Sequence, residues 1–388
     1  MNEVSVVGCE SYEYESVKAA VAEAVEAVGG LDCLRHGTRV VIKANLVASA
    51  SAEAAVTTHP AVLGALTELC IKRGASVVIG DSPGGLYIPA FVERVYKAAG
   101  LSFCEELGAC LNNDYTEGKA YFEEAKVCKT FNYTAYLDKA DFIIDACKLK
   151  THGMMGFSGA VKNMFGAIPG TMKPEYHFRY PSYETFADML IDIDEYFKPD
   201  LSVCDAVYGM EGNGPTAGVP RKIGCIMASK SPHMLDLVAA SVIGLCPDDV
   251  PTLAAAVARG LCPERADAVK TYGDPLVYAL SDYDNIATKR SLLFKGNSDS
   301  VLKNIFGAIA KKALSSRPEL NKKLCVGCNM CGKICPAKAI SIKGGKALIE
   351  REKCIRCFCC QEFCPKGAMK VKRTSIAKLL QRSKAKKK

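Results

Sequence analysis

The sequence predicts an α/β fold, a mostly parallel sheet domain with helices on both faces, followed by a small α+β module rich in cysteine. Three observations predict it. Short apolar runs alternate with amphipathic helical patterns from residue 3 to about residue 295, as strands joined by crossover helices do. Polar, glycine-rich turns follow several of the apolar runs, where loops leave the carboxyl ends of parallel strands. From Cys325 to Pro365 the alternation gives way to two similar cysteine runs. The expected organisation is an α/β domain over 1–298, a connecting helix over 299–319, the cysteine module over 320–370 and a basic tail over 371–388.

In order, E-V-S-V-V-G (3–8) is a first strand, and Val17, Val21, Val25 and Val28 form the stripe of a helix stopped by Gly29 and Gly30. T-R-V-V-I-K-A-N-L is a buried strand ending at Lys43 and Asn45. Thr58-His59-Pro60 opens a helix that runs to about Arg73, with proline suited to the first turn. Gly74 breaks it, and A-S-V-V-I-G leads into Asp81-Ser82-Pro83-Gly84-Gly85. A buried strand from Asp141 to Lys150 precedes a segment too rich in glycine for a plain helix, 151–170. A helix near 182–197, a strand ending near Asp205, the loop Gly209 to Gly218, a further strand and a helix from Met234 to Leu245 follow. Leu302, Ile305, Phe306, Ile309 and Leu314 form one stripe of the connecting helix.

Four of these loops could carry chemistry. Asp81 opens a strand-to-helix turn whose backbone N–H groups could face an anion, though a tight turn serves the same sequence. It has neither the P-loop lysine nor the G-x-G-x-x-G order. Lys148 to Gly170 sets Lys150, His152, Lys162 and Asn163 among five glycines. Glycines let backbone approach a ligand closely, and lysines neutralise an anionic substrate. His177 is expected to fold back onto this pocket, making Lys150, His152, Lys162 and His177 the candidate catalytic residues. Glu211 and Asn213 in the loop from Gly209, with Lys43, Asn45, Asp81 and Asn163, are the candidate binding residues. His36 and His233 are read as structural.

The cysteine runs are C-V-G-C-N-M-C-G-K-I-C-P and C-I-R-C-F-C-C-Q-E-F-C-P. Both match C-x2-C-x2-C-x3-C-P, the bacterial ferredoxin spacing, in which the fourth cysteine of each run serves the other cluster. This predicts two [4Fe–4S] clusters, one on Cys325, Cys328, Cys331 and Cys364 and the other on Cys354, Cys357, Cys360 and Cys335. Paired C-x2-C also makes zinc ribbons, the rival reading. Cys359 is left over and is expected to be a packed thiol.

Composition narrows the class. Of twenty cysteines, eleven lie before residue 300 with no framework spacing, and the N-terminus has no basic start or apolar core of a signal peptide. Reduced thiols in the cytoplasm of an anaerobe are the expectation. No run of eighteen apolar residues predicts a membrane span. The net charge is +8, yet Lys370 to Lys388 hold nine basic residues and no acid, so the remaining chain is near neutral. The tail lacks the interleaved aromatics of a nucleic-acid binder and no sequence-specific nucleic acid is expected. It could touch an acidic partner or a membrane surface.

The segments K-A-N-L-V with T-T-H-P-A-V, V-V-I-G-D-S-P-G-G, K-L-K-T-H-G with G-A-V-K-N-M-F-G-A-I-P-G, and D-A-V-Y-G-M-E-G-N-G-P-T-A-G resemble the family known as domain of unknown function 362, whose members are often fused to a ferredoxin module. The resemblance covers residues 39 to about 245 and implies an iron–sulfur protein of anaerobic metabolism, with no agreed reaction. More loosely, the segment around Lys162 followed by His177 is similar to one in the nickel-pincer lactate racemase family. There a lysine attaches the pincer nucleotide and a histidine ligates nickel. The leading functional expectation is an oxidoreductase whose clusters exchange low-potential electrons with a small anionic substrate or cofactor in the α/β domain, or with a redox partner protein. The alternative is a non-catalytic electron carrier or assembly protein whose α/β domain docks a partner enzyme.

Overall fold

The computed structural model describes residues 3–286 and 316–372. Strand β1 (Glu3–Gly8) leads into α1 (Tyr14–Ala27), whose buried stripe is Val17, Ala20, Val21, Ala24 and Val25. The Glu13 carboxylate accepts the N–H groups of Glu15 and Ser16 at its start, satisfying donors that the helix itself leaves free. Next come β2 (Arg39–Lys43), α2 (Pro60–Lys72), β3 (Ser76–Gly80), α3 (Pro89–Ala98), α4 (Ser102–Glu106) and β4 (Cys110–Leu111). A hairpin of β5 (Glu117–Tyr121) and β6 (Thr130–Thr134) stands apart from the main sheet. Then β7 (Phe142–His152), buried throughout, turns back into β8 (Gly156–Ser158). Three helices follow, α5 (Ala160–Asn163), α6 (Lys173–Arg179) and α7 (Tyr183–Phe197), before β9 (Leu201–Glu211) and β10 (Val219–Ser229). The domain closes with α8 (Pro232–Val242), α9 (Pro251–Ala258) and β11 (Lys270–Tyr272).

The sheet order is β11-β1-β10-β9-β7-β2-β3-β4, with β8 paired to β7. Along this path only β10 runs against its neighbours, so the expected mostly parallel sheet is present. Alternation along β9 shows both faces covered. Val203 and Val207 pack with α1 and α2 residues such as Val21 and Leu66, whereas Cys204 and Ala206 pack with Leu190 of α7 and Leu237 of α8. Each fully buried Val or Leu contributes about 1.5–3 kcal/mol.

The C-terminal module has β12 (Arg317–Leu320) paired with β15 (Met369–Lys372), and β13 (Ile340–Lys343) paired with β14 (Lys346–Ile349). Single-turn helices α10 (Met330–Lys333) and α11 (Cys359–Glu362) each sit within one cysteine run.

Three expectations are corrected. Residues 299–315 of the expected connecting helix lie outside the described residues, and 317–320 form a strand, because they pair with a segment fifty residues on that no local pattern reveals. Pro318 is tolerated on this edge strand. Residues 371 and 372 of the expected tail belong to β15, while 373–388 lie outside the described residues. The loop expected from Gly209 is shorter, since β9 continues to Glu211 in register with β10, leaving only 212–218 as the turn.

Candidate functional site

Lys43 ends β2, Asp81 follows β3, and Lys150 and His152 end β7. The chain moves outward from β2 to β3 and β4 on one side and from β7 to β9 on the other. The order therefore reverses between β2 and β7, where doubly wound sheets leave a crevice. Lys43 Nζ lies 2.7 Å from Asp81 Oδ1 and donates to the Ala44 carbonyl at 2.8 Å. Asp81 Oδ2 accepts the Leu46 N–H at 2.7 Å. Asn163 ties the two strands together: its Oδ1 accepts from Asn45 Nδ2 at 2.8 Å, and its Nδ2 donates to the Lys43 carbonyl and the Asp145 carboxylate. Lys150 Nζ donates to Asn45 Oδ1 at 2.5 Å and to the Val56 carbonyl at 2.7 Å. Charges at such depth persist only when paired or well solvated by protein dipoles. Burial, reinforced by Lys162 and Lys148, pushes Lys150 down to about 7.

Above this floor is a cavity of about 60 Å³, room for a few waters or one small anionic group. The α/β domain lines it with Asn45, Asp81, Lys162, Asn163, Lys173 and His177. Lys173 donates to the Ser82 carbonyl, and burial brings it down to about 8. Lys162 has no carboxylate within ion-pair distance among the described residues; its ammonium lies 5.6 Å from the Phe165 ring centre. Burial also lowers its pKa. His177 stacks on Phe186 at 4.3 Å, its Nδ1 is buried without a hydrogen-bond partner, and burial pushes it down to about 3.

The remaining wall comes from the second cysteine run, through Cys359, Glu362 and Phe363. His152 links the two parts. Its Nδ1 accepts the N–H groups of Met154 and Met155, both at 3.1 Å, which puts the ring proton on Nε2. That nitrogen lies 3.0 Å from Glu362 Oε1, without the alignment of a full hydrogen bond. Burial, aided by Lys162, pushes His152 down to about 4. Burial alone would raise Glu362, but His152, Lys162 and His177 outweigh it and hold the carboxyl near 2. Gln361 Nε2 donates to the Asn213 carbonyl at 2.6 Å, and Asn213 Oδ1 accepts the Val371 N–H at 3.3 Å. Phe358 and Val371 join the apolar core that holds Met154 and Met155. Gly153 allows that approach, since a Cβ there would lie 3.1 Å from Phe358 Cγ and 3.2 Å from Val371 Cγ2.

The thiols fall into two sets. Cys325, Cys328, Cys331 and Cys364 line one void of about 20 Å³. Cys354, Cys357 and Cys335 all lie in the electrostatic surroundings of Cys360, with Cys331 of the first set the next thiol beyond them. Each remote cysteine accepts a backbone N–H, Ala339 to Cys335 Sγ and Ala368 to Cys364 Sγ, both at 3.2 Å. Among the described residues no three cysteine sulfurs come within 4.8 Å of one another. Four thiolates around one zinc ion would stand about 3.8 Å apart, so the sets are too open for a single ion and suit a cluster.

Of the ten candidates in the α/β domain, Asn45, Asp81, Lys162, Asn163 and His177 share the cavity wall. Lys43 and Lys150 lie beneath it, and His152 stands behind Glu362. Two do not join: Glu211 accepts the Asp284 N–H, and Asn213 seats the module. Lys148 serves another network, with Asp205 at 2.9 Å and Tyr12, on which His59 stacks. Sequence reasoning missed Lys173 and Glu362. The available signal for Glu362 was the contrast between F-C-C-Q-E-F and N-M-C-G-K-I at equivalent places in the two runs.

A family model described as "Domain of unknown function (DUF362)" matches residues 40–241, and one described as "4Fe-4S dicluster domain" matches 317–365. A thylakoid-associated protein of Synechocystis sp. is 29% identical over 279 residues, spanning 68% of this chain and 81% of that one. The lactate racemase apoprotein of Thermoanaerobacterium thermosaccharolyticum gives a TM-score of 0.40 at 10% identity, over 63% of this chain and 58% of that one. A crystal structure of a Thermotoga maritima protein gives 0.36 at 15% identity, over 55% of each chain. The chain thus spans little more than half of either solved structure, and likenesses this distant bear on no functional argument. None of the described helices is long and apolar enough to cross a membrane.

Proposed function

Since the chain belongs to the family described as domain of unknown function 362 and carries a 4Fe-4S ferredoxin-like domain, we propose that it is an oxidoreductase in which electrons pass between that domain and a small anionic substrate or cofactor in the cavity. One observation carries this reading: Lys162, Lys173 and His177 face Cys359, Glu362 and Phe363 across a single cavity. A bound molecule would therefore sit against the loop holding Cys357 and Cys360. On this reading two [4Fe–4S] clusters are held, one on Cys325, Cys328, Cys331 and Cys364 and one on Cys354, Cys357, Cys360 and Cys335. They supply one-electron transfer at low potential.

The chain's own residues divide the remaining work. Lys162, free of a carboxylate partner, neutralises the anionic group, and Lys173 adds a second cation. Neutral His177 and Asn163 are placed to hydrogen-bond it. His152 acts at one remove by fixing Glu362 and is a positioning residue. Lys43 and Lys150 keep the floor rigid through Asp81 and Asn45.

The test uses anaerobically purified protein, for which the reading expects about eight iron and eight sulfide per chain. Small carboxylates and inorganic phosphate are then titrated into reduced protein while its electron paramagnetic resonance is recorded. At least one should perturb the signal of one cluster only, and Lys162→Ala should abolish the effect while leaving iron content intact. A fully loaded protein that responds to no small anion would support the non-catalytic carrier instead.

A further inference from the structure

The two cysteine runs share a backbone but not a surroundings. In the second, Phe358 and Cys359 are each 1% exposed, Gln361 is buried and Glu362 faces the cavity. Their counterparts in the first are Asn329, Met330, Gly332 and Lys333. Met330 is 40% exposed, Val326 62% and Leu324 45%, and the Cys328 thiol is exposed. Val326, Asn329, Met330 and Lys366 edge the void shared by the outer four cysteines. Around this apolar centre Lys322, Lys323, Lys333 and Lys366 are exposed. Residues 316–372 hold thirteen lysines and arginines against four glutamates, one of which is the inward Glu362. The chain before Lys370, near neutral as a whole, thus hides a strongly basic module.

We propose that this face, centred on Val326, Cys328 and Met330 and rimmed by Lys322, Lys323, Lys333 and Lys366, is the docking surface for an acidic one-electron carrier protein. The direction of electron flow through the face rests on the function proposed above; the docking does not. An apolar centre with a charged rim is the build of a transient interface, and opposite charge steers encounter and raises association rates. The step is a simple exchange: the carrier gives up one electron, this chain gains it, and no bond or proton changes hands.

The probe is an acidic bacterial ferredoxin. Binding of its oxidised form is followed by calorimetry, and electron transfer from its reduced form by stopped-flow absorbance. Between about 50 and about 500 mM salt both should weaken by about tenfold or more. Lys322→Glu/Lys323→Glu should lower both to a similar degree at low salt, while Lys72→Glu on the distant α2 changes neither. Iron analysis confirms that the variants keep their clusters, and Lys366→Glu replaces the pair should they not. Salt-independent rates, or an equal loss in Lys72→Glu, would overturn the proposal. Failure of every small anion to perturb the cavity would remove the proposed function yet leave this docking standing.

Discussion

At the scale of single residues, the site separates charges that hold the fold from charges left free for a ligand. Lys43 is fully buried against Asp81, so Lys43→Ala strands a buried carboxylate and should cost about 3–5 kcal/mol of stability. Lys162→Ala removes no ion pair at contact distance and should cost less than Lys43→Ala; anaerobic denaturant titration separates the two. The buried histidines give a pH signature. His59, His152 and His177 bind protons less readily than the usual imidazole near 6.5, at about 4, 4 and 3. In each case burial is the main cause. The unfolded chain therefore takes up protons first, and stability falls as pH drops from about 6.5 toward 4, by at most roughly 3 kcal/mol per group. Glu362, held near 2, adds stability above about 4.5 that is lost as pH falls toward 2. The denaturation midpoint should fall steeply as pH drops below 6.5, and His177→Phe should lessen that slope. Lys43, Asn45 and Asp81 were legible as polar residues at strand ends, and Lys162, Asn163 and His177 from the glycine-rich stretch that leads into α5 and α6. Glu362 was not, for a carboxylate inside a metal-binding run reads as surface until its partner across the chain is known.

At the scale of elements, the two-cluster reading proposed above has the remote cysteines cross between runs. Cys364 lines the void of the first run, and its thiol accepts an N–H just as Cys335 does. Cys364→Ala should then remove the same magnetic signal as Cys325→Ala, and Cys335→Ala the same signal as Cys354→Ala. If Cys364→Ala instead matched Cys354→Ala, each run would serve its own cluster. Strand and helix types were readable from apolar periodicity, as Val17 to Val25 and Val40 to Ile42 show. Pairings over long separations were not. β12 forms against β15 only once the module has closed, and β9 extends past Gly209 because β10 lies beside it.

At the scale of the whole molecule, the module is seated by Phe358, Gln361 and Val371 on the loops around Gly153 and Asn213. Gly153→Val would press a branched side chain into Phe358 and Val371, which stand just over 3 Å from any Cβ there. The module should then dock loosely, with faster limited proteolysis and loss of the anion response, while total iron stays unchanged. On the function proposed above, the cavity wall shared by the two parts also ties capture of the anion to the integrity of the second cysteine run. Oxidative damage that strips the second run would release the turn bearing Cys359, Glu362 and Phe363, and the chamber would open on that side. On that reading a damaged molecule would lose its hold on the anion and its electron supply in one event.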